Sequence, residues 1–122
     1  MTPRAGIAAL ALAPALAACS PSPHQAAGSS GNADAGRAAL QAYDCGVCHR
    51  IPGVRGANGQ VGPPLAGFGK RVYIAGRIPN SEAMLVRWIV DPPALQRSTA
   101  MPAVGVNEEE ARDMAAYLLS LR

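Results

Sequence analysis

Hydrophobic and polar positions divide this chain into stretches of different character. Residues 5–18 are an uncharged run of Ala, Leu, Ile, Gly and Pro behind a single Arg4, whereas residues 20–33 turn to Ser, Pro, Gly, Ala and other small or polar residues without apolar periodicity. From residue 34 onward the pattern becomes helical in three places. Residues 34–44 carry Ala38, Leu40, Ala42 and Tyr43, with Gly36 offering a site where another helix could approach closely. Residues 81–91 place Leu85, Trp88 and Ile89 at i, i+3 and i+4, and Pro92-Pro93 are expected to stop that helix. Residues 107–122 repeat Ala111, Met114, Ala115, Leu118 and Leu121 at helical spacing. Asn107 with Glu110 three positions later makes a capping-box pattern, and Glu108 and Glu109 suit the positive end of the helix.

Composition narrows the class. The chain has 122 residues, so one small domain is expected, and its five aromatic residues are few for filling a core. Thirteen Gly and eleven Pro point to turns and extended loops between the helices, and argue against a strand-rich sandwich or a long helical repeat. The net charge of +3 is modest and no basic stripe is interleaved with aromatics, so nucleic-acid binding has no support. Residues 50–97 hold Arg50, Arg55, Lys70, Arg71, Arg77, Arg87 and Arg97 against Glu82 and Asp91, while four acids crowd the last 25 residues. That asymmetry suggests a basic front able to steer an acidic partner; the alternative is an ordinary solvated face.

The N-terminal run, too short for a comfortable membrane span, reads as an export signal over residues 1–18. Leu16-Ala17-Ala18-Cys19 resembles a bacterial lipoprotein lipobox, which implies acylation of Cys19 and anchoring to a membrane on the periplasmic side. Ser20 after Cys19 favours the outer membrane by the same resemblance. Ordinary cleavage after Ala17 is the alternative and would leave an unpaired thiol. Residues 19–33 would then be a flexible lipidated tether with a reach of about 20 Å, and His24 within it is read as a solvated linker residue.

Cys45-Gly46-Val47-Cys48-His49 carries the chemistry. Two thiols three positions apart on a helical turn can each add to one vinyl group of a porphyrin, and the adjacent imidazole then comes to lie against the iron. The same spacing occurs in thioredoxin-like redox pairs and half zinc sites, but the former wants a βαβ context and the latter two more ligands, for which only Cys19 and His24 remain.

With this motif in place, residues 34–122 resemble a class I c-type cytochrome. The resemblance implies an all-α class I cytochrome c fold, with three main helices and loops wrapped around one covalently attached haem c. It further implies that His49 and Met101, the latter in Ser98-Thr99-Ala100-Met101-Pro102, are the two axial iron ligands. Gly62-Pro63-Pro64-Leu65 is similar to the family's Gly-Pro-x-Leu loop, which implies that the Pro63 carbonyl accepts a hydrogen bond from His49 Nδ1 and that Leu65 lies at the cofactor. Trp88 would pack on the haem with its N–H on a buried acceptor, unless it is a plain core residue, and Arg71 and Tyr73 would pair with the haem propionates, unless they are merely solvated. Met84 and Met114 are read as core or helix-face residues.

The function so implied is periplasmic single-electron shuttling by a monomer, without substrate turnover, between donors and acceptors such as a quinol-oxidising complex and a terminal oxidase or reductase. Alternatives are a haem subunit fixed in a larger oxidoreductase complex, and a small-ligand-binding or peroxidatic protein with an open sixth position.

Overall fold

The structure is a computed structural model and describes residues 29–122. The leader, Cys19, His24 and the tether up to residue 28 lie outside the described residues. Helix α1 spans Ala33–Ala42, α2 Glu82–Val90, α3 Pro92–Leu95 and α4 Glu108–Ser120; a two-stranded antiparallel hairpin pairs β1, Tyr73–Ile74, with β2, Ile78–Pro79. Among the described residues no helix is long and apolar enough to cross a membrane.

Local chemistry explains each helix start. Asn32 caps α1 by accepting from the N–H groups of Asp34 and Ala35, so the helix begins at Ala33 rather than at residue 34. Ser81 caps α2 through the N–H of Met84. At α4 the capping box is complete: Glu110 N–H donates to Asn107 Oδ1 at 2.9 Å, and Asn107 N–H donates to Glu110 Oε2 at 3.3 Å. Pro92-Pro93 end α2 as expected, but the chain does not pass straight into a loop. Asp91 accepts from Ala94 N–H at 3.2 Å and starts the one-turn α3, where the prolines occupy first-turn positions that need no N–H donor.

Packing is dominated by α1 crossing α4. Gly36 and Gly31 permit that closeness: a Cβ on Gly36 would run into the Asp113 backbone, and one on Gly31 into that of Arg112. Ala111, Met114 and Ala115 of α4 are fully buried, with Leu118 nearly so, which is the stripe the periodicity marks; Leu121 is only half-buried. Leu40 of α1 and Leu85, Val86, Trp88 and Ile89 of α2 complete the helical core. Residues 30–32, read as the end of the tether, are fastened to this body. Ser30 N–H donates to Glu82 Oε1 at 2.9 Å, and Asn32 N–H to Asp113 Oδ1 at 2.7 Å.

Candidate functional site: an apolar cleft between the CxxCH turn and the Met101 loop

One face of α2 and one end of α4 form the floor of a cleft of about 340 Å³, within the size range of small-molecule and cofactor sites. Leu85, Trp88 and Ile89 line it from α2, Met114 and Leu118 from α4, and Leu40 and Tyr43 from the end of α1. Cys45, Cys48 and His49 stand on one side, and Thr99, Ala100, Met101 and Pro102 on the same lining. The sequence therefore scatters these residues over more than fifty positions, and the fold gathers them around one apolar space.

The CxxCH turn follows directly on α1. Asp44, in the left-handed region at φ 54°, breaks the helix and lets Cys45–Val47 form a 3-10 turn, in which His49 N–H reaches Cys45 O at 3.0 Å. Both thiols are free and half-buried, and burial raises the Cys45 thiol above its ordinary pKa. His49 Nδ1 lies 2.8 Å from the Pro63 carbonyl, the contact implied by the resemblance. A carbonyl only accepts, so the Nδ1 proton is committed there and the Nε2 lone pair is the one left to ligate. Gly62 is required beside it, because a Cβ there would collide with the imidazole ring.

The loop that makes this contact is pinned at both ends, by Gly62 N–H to Cys48 O and by Leu65 N–H to Arg50 O, each at 2.8 Å. Leu65 is buried and lines the cleft. Arg71 also lines it, with its guanidinium donating to the Pro64 and Ala66 carbonyls and lying 5.2 Å from the Phe68 ring centroid. Trp88 is buried and lines the cleft.

Tyr73 is the residue the fold does not bring in. It is 53% exposed and absent from the lining, whereas its neighbour Ile74 is buried and takes a place there. Successive strand residues point to opposite faces, so β1 can turn only one of the two inward, and the apolar one goes. Ile74, Phe68 and Tyr43 are lining residues that sequence reasoning did not assign to the site; their signal was only that of core residues. Tyr43 donates its hydroxyl to Glu110 Oε2 at 2.7 Å, tying the mouth of the cleft to the α4 cap. That hydrogen bond, with burial and the Glu110 charge behind it, raises the Tyr43 pKa above 10.0.

These residues fit a covalently attached haem: free paired thiols, an imidazole with one nitrogen committed, a thioether in the same lining and an apolar enclosure in which no polar or charged described residue is fully buried. Among the described residues, no three or more His, Cys, Asp or Glu are grouped so as to hold a metal ion by themselves.

Comparison with known proteins agrees. The chain is 36% identical over 91 residues to cytochrome c oxidase subunit 2 of Alkalihalophilus pseudofirmus, covering 74% of this chain and 26% of that protein. It is 32% identical over 82 residues to the same subunit of Bacillus sp. (strain PS3), covering 64% and 23%. The matching stretch thus spans only about a quarter of those relatives. A solved structure of SoxXA from P. pantotrophus has a similar fold, with a TM-score of 0.60, 22% identity and coverage of 77% of this chain and 84% of that one. Residues 33–122 match the cytochrome c family, whose members carry covalently attached haem c and transfer electrons, and the chain belongs to that family.

Proposed function

We propose that this protein is a single-haem electron carrier, exported and tethered to a membrane on the periplasmic side, that delivers electrons one at a time to a terminal oxidase. The observation that carries the reading is the convergence of Cys45, Cys48, His49 and Met101 on one apolar cleft, with His49 Nδ1 committed to Pro63. Cys45 and Cys48 would hold the haem through thioethers, while His49 and Met101 would ligate its iron. When bound, the haem supplies a one-electron couple, which a soft thioether ligand makes more oxidising.

The chain's own residues set the conditions for that couple. Pro63 fixes the tautomer and orientation of His49 and raises its basicity. Leu85, Trp88, Ile89 and Leu118 keep water from the enclosure, so little solvent has to reorganise when charge changes. Exposed Val61 and Val104 at the lining offer apolar contact to a partner, and the basic residues of 50–97 would steer an acidic one. Stopped-flow reduction of an oxidase should accordingly slow as salt is raised.

A monomer without substrate turnover is the simplest form of this reading, and filling of the sixth position by Met101 argues against ligand binding or peroxide chemistry. Residence as a fixed haem-bearing subunit of an oxidase is a second reading, favoured by the oxidase-subunit relatives. Isolation from detergent-solubilised membranes separates the two: a free carrier comes away alone, a fixed subunit with its complex. Mass spectrometry of protein matured in a periplasm tests the core of the proposal. It should show one haem added through two thioethers at Cys45 and Cys48, and an acylated Cys19 at the new N-terminus. Unmodified thiols at 45 and 48 would refute it.

A further inference from the structure

Arg71, which the resemblance would pair with the haem propionates, also holds protein partners at the cleft. Its Nη2 donates to the carbonyls of Pro64 and Ala66 while the guanidinium stacks on Phe68. Those carbonyls belong to the segment that presents the Pro63 carbonyl to His49. Pro63 and Pro64 have no N–H, so between the Gly62 and Leu65 anchors the segment contributes no backbone donor of its own. The base of Arg71 is fixed as well. Asn80 Nδ2 donates to the carbonyls of both Arg71 and Phe68, at 3.0 and 3.2 Å, and Arg71 N–H donates to Phe68 O at 3.0 Å. A cation with a fixed base, a ring beneath it and two carbonyls at its tip is a brace.

We propose that Arg71 is a positioning residue for the axial histidine: it clamps the proline loop so that the Pro63 carbonyl stays on His49 Nδ1, and thereby lowers the reduction potential. The argument rests on the haem reading above. A well-made Nδ1 hydrogen bond raises imidazole basicity, and a more basic ligand favours the ferric state. Slackening the loop weakens that bond and raises the potential. A simple charge effect has the opposite sign, since removing a cation near the iron favours the more positive oxidised form and lowers the potential.

The opposite signs give the test, performed on the matured holoprotein. Arg71→Lys keeps the charge but loses the planar stack on Phe68 and the reach of Nη2 to the two carbonyls. It should shift the one-electron balance about threefold toward the reduced form, ~28 mV at ~59 mV per decade, and speed solvent exchange of the His49 Nδ1 proton seen by NMR. Asn80→Ala, which frees the base of the brace without touching charge, should move both readouts the same way by less. A wild-type potential and wild-type exchange in Arg71→Lys, with only Arg71→Gln shifting and shifting downward, would overturn the clamp in favour of a bare charge effect. In that event two thioethers and the sulfur-to-iron absorption band in every variant would leave the haem reading standing; their absence would remove both.

Discussion

The two loops that carry the candidate iron ligands are built differently. The His49 loop is cross-braced along its length: Gly59 N–H reaches Gly46 O at 3.0 Å, Ile51 N–H reaches Ala57 O at 3.1 Å, and the Tyr117 hydroxyl donates to Pro52 O at 2.6 Å. These add to the Gly62, Leu65 and Pro63 contacts. The Met101 loop has Thr99 N–H on Gln96 O at 3.0 Å and Met101 N–H on Thr99 Oγ1 at 3.1 Å. Among the described residues, no other main-chain group from 100 to 106 makes a hydrogen bond. One side of the cleft is therefore set by the protein before any cofactor chemistry, while the other is free to follow the metal bond. Local opening should begin at Met101, where few backbone bonds oppose it.

The largest expected effect tests the braced side. Gly62→Ala adds one methyl group where the His49 ring stands, and overpacking there should cost about 3 kcal/mol, read as a loss of thermal stability together with a disturbed axial spectrum. A silent Gly62→Ala would mean that the His49 side is as yielding as the other.

Met101→Ala should leave a folded protein with haem still attached, lose the weak long-wavelength sulfur-to-iron band, bind carbon monoxide when reduced, and fall in potential by more than ~59 mV. Failure of this variant to fold would break the contrast, because it would make Met101 as structural as His49.

A smaller step sharpens the same contrast. Thr99→Val removes the side-chain acceptor for Met101 N–H at about 1 kcal/mol, and carbon monoxide entry into the reduced protein should speed up about fivefold, with global stability falling by no more than that same amount. Rates equal to wild type would show that this contact does not govern opening.

The smallest effect lies where α1 meets the α4 cap. The Tyr43 pKa is raised above 10.0, first by the Glu110 hydrogen bond. Its contribution to stability is complete below pH 10 and is lost as pH rises through the folded value. Tyr117, raised by burial against a lowering by Arg37, acts in the same direction. Denaturation of Tyr43→Phe should therefore depend less steeply on pH above 10 than that of the wild type, with part of the slope left to Tyr117.

Much of the scaffold is legible from local pattern. The α4 stripe and its capping box, the α2 triplet of Leu85, Trp88 and Ile89, and the close-approach Gly36 all depend on neighbours within about a turn, or on the absence of a side chain. The short α3 and the hairpin are less visible, because Pro92-Pro93 equally suit a stop or a first turn, and two-residue strands carry almost no periodicity. At the site, the CxxCH motif is local and self-announcing. The resemblance gives Arg71 and Tyr73 the same expected role, yet the fold turns Arg71 to the proline loop and Tyr73 to solvent.

The order of residues alone therefore determined which chemistry the chain can support, where its three main helices run, and which methionine stands apart from a helical face, since periodicity, caps and thiol spacing are properties of a few adjacent positions. Only the tertiary structure decided that His49 meets Pro63, that Ser30 and Asn32 are fastened to α2 and α4, that Ile74 rather than Tyr73 faces the cleft, and that the two ligand loops differ in bracing. Those outcomes depend on which distant segments the packing of α1 on α4 leaves adjacent, and on which of several possible partners an unpaired carbonyl or cation then finds within hydrogen-bond reach.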